Sequence, residues 1–162
     1  MKPATLVLGL GNPILTDDGV GIHVVRAVAS RFTLHASRLD VAFAEASVGG
    51  LRLLDTIAGY GRVIMVDAIQ THDGKPGDIY RLPPDGLKAS LHSGSTHDLS
   101  LPGALALGRS MGMALPDDEA IVIIAIEVED VLTFGEVCTP TVAAAIPHAV
   151  EMVLAELEVG EP

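Results

Sequence analysis

Two adjacent carboxylates stand in a glycine-rich turn near the start of the sequence. The segment from Leu6 to Val25 reads LVLGLGNPILTDDGVGIHVV and contains Asp17 and Asp18. A dinucleotide-binding turn would have a third glycine where Ile14 stands, and the two carboxylates would repel a pyrophosphate. We therefore expect no nucleotide here. Asp17 is best explained as the N-cap of the following helix, which leaves Asp18 as the candidate for chemistry.

Asp67 is the natural partner of Asp18. It directly follows the apolar run VIMV, whereas Asp18 comes in the turn after the first apolar run of the chain. Because neighbouring parallel strands end at one edge of a sheet, we expect the two carboxylates to lie close together. Two ionised carboxylates repel each other unless a cation or a proton lies between them. The pair therefore favours a metal site.

A divalent transition metal is expected to take at least one nitrogen ligand beside these oxygens. His92 and His97 lie in the polar segment ASLHSGSTHDLSL, which is predicted to open at the same edge of the sheet. The residues alone do not choose between these two histidines. The other four fall on predicted helices or loops and are expected at the surface or in the core: His23, His35, His72 and His148.

Short β-branched runs alternate with segments of helical periodicity along the chain. The predicted strands cover Thr5–Leu10, Leu39–Ala46, Arg62–Val66, Asp78–Leu82 and Ala120–Ile126. The predicted helices cover Gly19–Phe32, Gly50–Ile57, Leu99–Met111 and a last helix from Pro140 to about Leu157. This alternation predicts an α/β fold, a three-layer sandwich in which a mostly parallel, twisted sheet of about five strands is flanked by helices. The strand that ends at Pro83 and Pro84 is expected at a sheet edge. A 2-1-3 order of the first three strands would bring Asp18 and Asp67 together.

The composition fits one domain, residues 1–162, with an ample apolar core. Hydrophobic residues make up 49% of the chain, but no apolar run is long enough to cross a membrane. A net charge of −11 argues against nucleic acid and anionic membranes as partners. The N-terminus lacks the pattern of a signal peptide, so we expect a cytoplasmic protein. The single cysteine, Cys138, can form no internal disulfide and is expected to be a small packing residue.

Five segments occur in an order that resembles the hydrogenase maturation proteases. They are GLGNPILTDDGVG, SVGGLRLLDTIAGYGRVIMVDA, KPGDIYRL, STHDLSL and IAIEVED, and together they span nearly the whole chain. Members of this family are endopeptidases that trim a C-terminal extension from the large-subunit precursor of nickel-iron hydrogenases after nickel insertion. The resemblance implies this activity, the precursor as partner, and a phosphorylase/hydrolase-like sandwich fold.

The resemblance also implies the site. The family's two acidic metal ligands fall on Asp18, where some members have glutamate, and on Asp67. Its histidine falls on His97, which selects this residue over His92. These three residues are expected to contact the metal and to serve catalysis. Nickel is expected to arrive in the cysteines of the precursor, and no tightly held metal of the protein's own is expected, in agreement with the absence of an H-E-x-x-H motif. Whether nickel or a carboxylate activates the attacking water stays open.

Two other functions stay open as alternatives. A non-enzymatic nickel-precursor checkpoint or chaperone module would use the same three residues without cutting. A peptidyl-tRNA hydrolase-like esterase would share the GLGNP turn, but the T-R-H-N stretch of those enzymes is missing and the negative charge disfavours tRNA. Glu127, which ends a predicted strand at the same edge, is a candidate supporting residue. A monomer is the expected oligomeric state.

Overall fold

The computed structural model describes residues 3–34, 40–47, 49–89 and 100–159. In these ranges five strands form one sheet: β1 Thr5–Leu10, β2 Val41–Ala46, β3 Arg62–Ile69, β4 Ile79–Leu82 and β5 Ile121–Glu127. The α-helices of the same ranges are α1 Val20–Leu34, α2 Leu51–Ile57, α3 Leu101–Ser110 and α4 Pro140–Val159. Short 3-10 turns cover Thr16–Gly19, Pro84–Ala89 and Asp118–Ala120.

The strands are ordered β2-β1-β3-β5-β4, and all neighbouring pairs are parallel except β5 with β4. This order confirms the predicted α/β sheet, the 2-1-3 arrangement and the edge position of β4. β5 is buried along its whole length, as its unbroken apolar sequence predicts. Helices α1 and α4 pack on one face of the sheet, and α2 and α3 pack on the other. Among the helices of the described ranges, none combines the length and the apolar character that a bilayer crossing requires.

β3 is longer than predicted, and Asp67 consequently lies within the strand instead of after it. Val66 is the last β3 residue that pairs with β1, opposite Gly9, whereas pairing with β5 continues to Ile69. The sheet therefore opens beside Asp67, where β1 ends and the chain turns toward α1. This is the kind of switch point at which α/β sheets bind their ligands.

Two glycines allow the turn between β1 and α1 to close tightly. Gly11 has a φ of +130°, and a Cβ there would lie 1.9 Å from the backbone oxygen of Asp18. At Gly21 a Cβ would lie 2.2 Å from the backbone oxygen of Val66, so glycine is needed for α1 to approach β3 this closely. The turn that carries Asp18 is thereby placed against the part of β3 that carries Asp67.

Candidate active site

A cleft of about 430 Å³ opens at the carboxyl edge of the sheet, where the turn after β1 meets the start of α2. The structure brings Asp18 and Asp67 together on this cleft. The other described lining residues are Leu10, Gly11, Asn12, Ser47, Gly49, Gly50, Leu53, Met65, Leu87 and Leu101. The cleft thus combines two carboxylates with both polar and apolar lining residues.

Asp18 is held in place by the turn that carries it. It lies in the 3-10 turn Thr16–Gly19, and its Oδ2 accepts a hydrogen bond from the backbone N–H of Asn12 at 2.9 Å. The side chain of Asn12 accepts from the backbone N–H of Ile14 at 3.2 Å. The turn therefore fixes the half-buried Asp18 carboxylate beside the cleft.

Asp67 faces the cleft from β3, and its Oδ1 accepts a hydrogen bond from the backbone N–H of Ala68 at 2.8 Å. Burial raises the pKa of Asp67 to about 7; the bond from Ala68 opposes this rise, and the nearby charge of Asp18 adds to it. Asp67 is therefore partly protonated at neutral pH. A cation that reached the pair would take the place of that proton.

The two carboxylates offer oxygen ligands for a metal ion. Within the described ranges, no group of three or more His, Cys, Asp or Glu side chains is placed to hold a metal ion. Two carboxylate oxygens can take part in binding a divalent cation, and further ligands would come from residues outside these ranges or from another molecule.

The histidine predicted for this site, His97, lies outside the described residues, as do His92 and His35. The three described histidines do not line the cleft. They are His23 on α1, His72 beside a separate cavity of about 610 Å³, and His148, exposed on α4. The nitrogen ligand therefore stays a prediction.

Asp17 has a structural role, and the prediction that it caps its own helix is wrong. Its carboxylate is fully buried and accepts hydrogen bonds from the backbone N–H groups of Glu129 at 3.1 Å, Asp130 at 3.0 Å and Thr139 at 2.7 Å. The hydroxyl of Thr139 also donates to it, at 2.8 Å and 3.0 Å to its two oxygens. Asp17 thus fastens the segment between β5 and α4 to the turn that carries Asp18.

Glu127 lies at the end of β5 but does not line the described cleft. Its buried carboxylate accepts from the backbone N–H of Thr71 at 2.7 Å and from the Thr71 hydroxyl at 3.0 Å. Gly74 packs so closely that a Cβ there would lie 2.3 Å from the carboxyl carbon of Glu127. Glu127 therefore shapes the segment that follows β3 and has no direct contact with the Asp18–Asp67 pair.

Cys138 is a packing residue, in agreement with the sequence-based expectation. It is buried, and its Sγ lies 3.8 Å from the backbone oxygen of Thr16. Burial raises the pKa of the Cys138 thiol to about 11, and the charge of Asp17 adds to the rise. At neutral pH this thiol is therefore a poor nucleophile.

Three apolar lining residues of the cleft were not predicted from the sequence. Leu53 on α2, Met65 on β3 and Leu101 at the start of α3 all line the cleft. Met65 could have been recognised, because it precedes Asp67 by two residues and alternate strand residues share a face. Leu53 and Leu101 come from separate helices, and nothing in their local sequence distinguishes them from core residues.

Comparisons with known proteins agree on one family. The sequence model of the hydrogenase maturation proteases, HycI, matches residues 22–156. The hydrogenase 2 maturation protease of Escherichia coli (strain K12) is 31% identical over 153 residues, which cover 94% of this chain and 89% of that protein. The coenzyme F420 hydrogenase subunit delta of Methanothermobacter thermautotrophicus is 28% identical, with 96% of each chain covered.

Solved structures give the same result. The hydrogenase maturating endopeptidase HybD from E. coli superposes with a TM-score of 0.77 at 31% identity, covering 99% of this chain and 94% of that one. The hydrogenase 2 maturation peptidase from a Thaumarchaeota archaeon superposes with a TM-score of 0.64 at 27% identity, covering 94% and 97%. The sheet and helices described above are thus shared with peptidases of hydrogenase maturation.

Proposed function

The chain belongs to the hydrogenase maturation protease family, a family of hydrolases that act in hydrogenase maturation, and from this premise we propose its reaction. It removes the C-terminal extension of a nickel-iron hydrogenase large-subunit precursor after nickel has been inserted. The observation that carries this proposal on the chain itself is the meeting of Asp18 and Asp67 on one cleft at the switch point of the sheet.

In this proposal the nickel belongs to the substrate. The precursor carries it in its cysteines, and Asp18 and Asp67 contact it through oxygen while His97 contacts it through nitrogen. Arrival of the nickel would release the proton that the raised pKa of Asp67 favours and would relieve the repulsion between the two carboxylates.

Cleavage adds one water molecule across a peptide bond. The water oxygen bonds to the carbonyl carbon, the C–N bond breaks, and the leaving amine receives a proton. Two routes can activate the water: nickel polarises the carbonyl or lowers the pKa of the water, or Asp18 or Asp67 accepts the proton of the water. The cleft beside the carboxylates, about 430 Å³ in volume, supports binding of a short part of the peptide there.

A processing assay tests the proposed function. Purified protein mixed with nickel-loaded precursor should shorten the precursor, which mass spectrometry detects as loss of the C-terminal extension. Asp18→Asn and Asp67→Asn should each slow processing by about a hundredfold or more, the size expected when a positioned ligand or base is removed. Asp55→Asn, at an exposed position on α2, is the matched control and should process at the wild-type rate.

The alternative outcome is equally specific. A stable complex in which the precursor keeps its full length would identify a non-enzymatic checkpoint module and would overturn the proposed cleavage. Processing that is unaffected by both Asp18→Asn and Asp67→Asn would place the chemistry elsewhere on the molecule.

A further inference from the structure

Four exposed apolar side chains lie on two adjoining segments near the candidate active site. Leu132, Phe134 and Val137 are 85%, 80% and 77% exposed, and Ile14 is 47% exposed. Ile14 adjoins the others because the N–H of Gly135 donates to its backbone oxygen at 2.9 Å. These four residues, here called the apolar loop face, are half of the eight large hydrophobic residues exposed in the described ranges. Such a concentration of apolar surface is typical of an interaction site.

The segment that carries this face is firmly held, so its exposure is not the result of a frayed loop. Oδ1 of Asp130 accepts from the backbone N–H groups of Leu132 and Thr133, both at 3.0 Å. The hydroxyl of Thr16 donates to the backbone oxygen of Thr133 at 2.5 Å. The buried carboxylate of Asp17 fixes both ends of the segment. A rigid loop that presents apolar side chains to water is preorganised for binding.

The apolar loop face is continuous with the candidate active site. A depression of about 270 Å³ is lined by Asp18 and Ala68 and also by Val131 and Leu132. A carboxylate of the proposed site and the start of the apolar segment therefore border the same depression. A partner seated on the apolar loop face would lie directly beside Asp18.

The charges around the face indicate what kind of surface it fits. Glu129 and Glu136 are exposed; Glu129 and Asp130 precede Leu132 in sequence, and Glu136 directly precedes Val137. Hydrogen bonds from residues 132 and 133 lower the pKa of Asp130, which keeps it ionised. In the part of the chain that the structure describes, none of the ion pairs involves these three carboxylates. A complementary surface would be apolar and flanked by lysine or arginine.

We propose that the apolar loop face is the docking surface for the folded body of the hydrogenase large-subunit precursor, which contributes an apolar patch flanked by basic residues. This inference rests on the proposed function and extends it from the cleavage site to a separate contact. Docking at this face positions the precursor so that its C-terminal segment reaches the cleft. Affinity for the precursor then comes largely from the loop, while Asp18 and Asp67 act on the bound segment.

The test measures binding and cleavage separately. The dissociation constant for nickel-loaded precursor is measured by biolayer interferometry, and kcat and KM are measured in the processing assay. The double variant Leu132→Ser/Phe134→Ser should weaken binding and raise KM by about tenfold or more, as expected when central apolar anchors are removed. Its kcat should stay within about twofold of wild type, because neither residue lines the cleft. Its thermal unfolding should also be unchanged, since both side chains are exposed.

Two matched variants make the result specific. Met111→Ser removes a side chain that is 69% exposed at the end of α3. The segment after Met111 contacts the turn before β3 through the bond from Gly59 to Ala114, so Met111 lies toward the opposite end of the sheet. It should bind the precursor like wild type. Phe134→Leu keeps an apolar side chain and should change the dissociation constant by less than about threefold.

Unchanged affinity in the double variant would overturn the inference, as would an equal loss in Met111→Ser. A wild-type protein that self-associates through this face, and becomes monomeric in the double variant with unchanged precursor affinity, would assign the face to a second copy and would also overturn the inference.

Failure of the proposed function gives a different result: the wild-type protein then binds the precursor without shortening it. Absence of any binding by wild type would overturn both.

Discussion

Replacing Asp67 by asparagine should stabilise the metal-free protein, and the gain should grow with pH. The pKa of Asp67 is about 7 in the folded protein, against an ordinary value of 3.8, chiefly because of burial. The folded state therefore binds the proton more tightly than the unfolded chain, so the ionised carboxylate costs stability as pH rises from about 4 through about 7. Asparagine keeps an oxygen for the N–H of Ala68 but carries no charge.

The difference between the folded and ordinary pKa values of Asp67 sets the upper limit of the stability that Asp67→Asn can gain. It is about three pH units, which corresponds to about 4 kcal/mol at about 1.4 kcal/mol per unit. Asp67 retains some exposure to the cleft, and solvent relaxation there reduces the cost of charge. We therefore expect Asp67→Asn to gain about 1–3 kcal/mol over wild type at pH 8 and about 1 kcal/mol or less at pH 5.

Urea unfolding at several pH values between 5 and 8, with a chelator present, measures this gain directly. Asp55→Asn on the exposed face of α2 is the control and should follow the wild-type curve at every pH. Asp18→Asn should lower the pKa of Asp67 and so flatten the pH dependence of the wild-type protein. A gain that does not change with pH, or an Asp67→Asn protein less stable than wild type at pH 8, would show that burial of the Asp67 charge does not cost stability.

Three further predictions concern the surroundings of the cleft. Asp17→Ala should lower the free energy of unfolding by about 3 kcal/mol, because the backbone N–H groups it binds between Glu129 and Thr139 lose their acceptor; equal stability would contradict the anchoring role. Cys138 should resist iodoacetamide at pH 8 until the protein is denatured, because burial raises the pKa of its thiol to about 11; rapid labelling of the native protein would be the opposite result. His97→Ala should abolish processing with little change in Tm, whereas His92→Ala should process normally; the reverse pattern would show that the wrong histidine was chosen.

Much of the fold could be predicted because the relevant signals are local. The unbroken apolar run of β5 predicts a strand buried on both faces, and the prolines that follow β4 predict an edge strand. The length of β3 could not be predicted in this way. Its last residues, Asp67 to Ile69, extend because β5 continues beside them after β1 has ended, and this depends on a partner far away in sequence.

The candidate site was partly predictable for a related reason. Strand-end position and the 2-1-3 order bring Asp18 and Asp67 to one cleft, and both can be read from the sequence. The roles of Asp17 and Glu127 could not be read there, because their hydrogen-bond partners lie in segments that are distant along the chain, such as Thr139 and Thr71. Local capping rules use only the residues next to a helix terminus, so they do not predict such long-range hydrogen bonds.

We propose that this protein cleaves its precursor only after recognising the nickel that the precursor carries. Cleavage of nickel-loaded and nickel-free precursor can be compared under otherwise identical conditions, with mass spectrometry to follow the C-terminal extension. We expect rapid processing of the loaded precursor and no processing of the nickel-free one, because the contact that favours cleavage is then absent. Equal rates for the two precursors would contradict it.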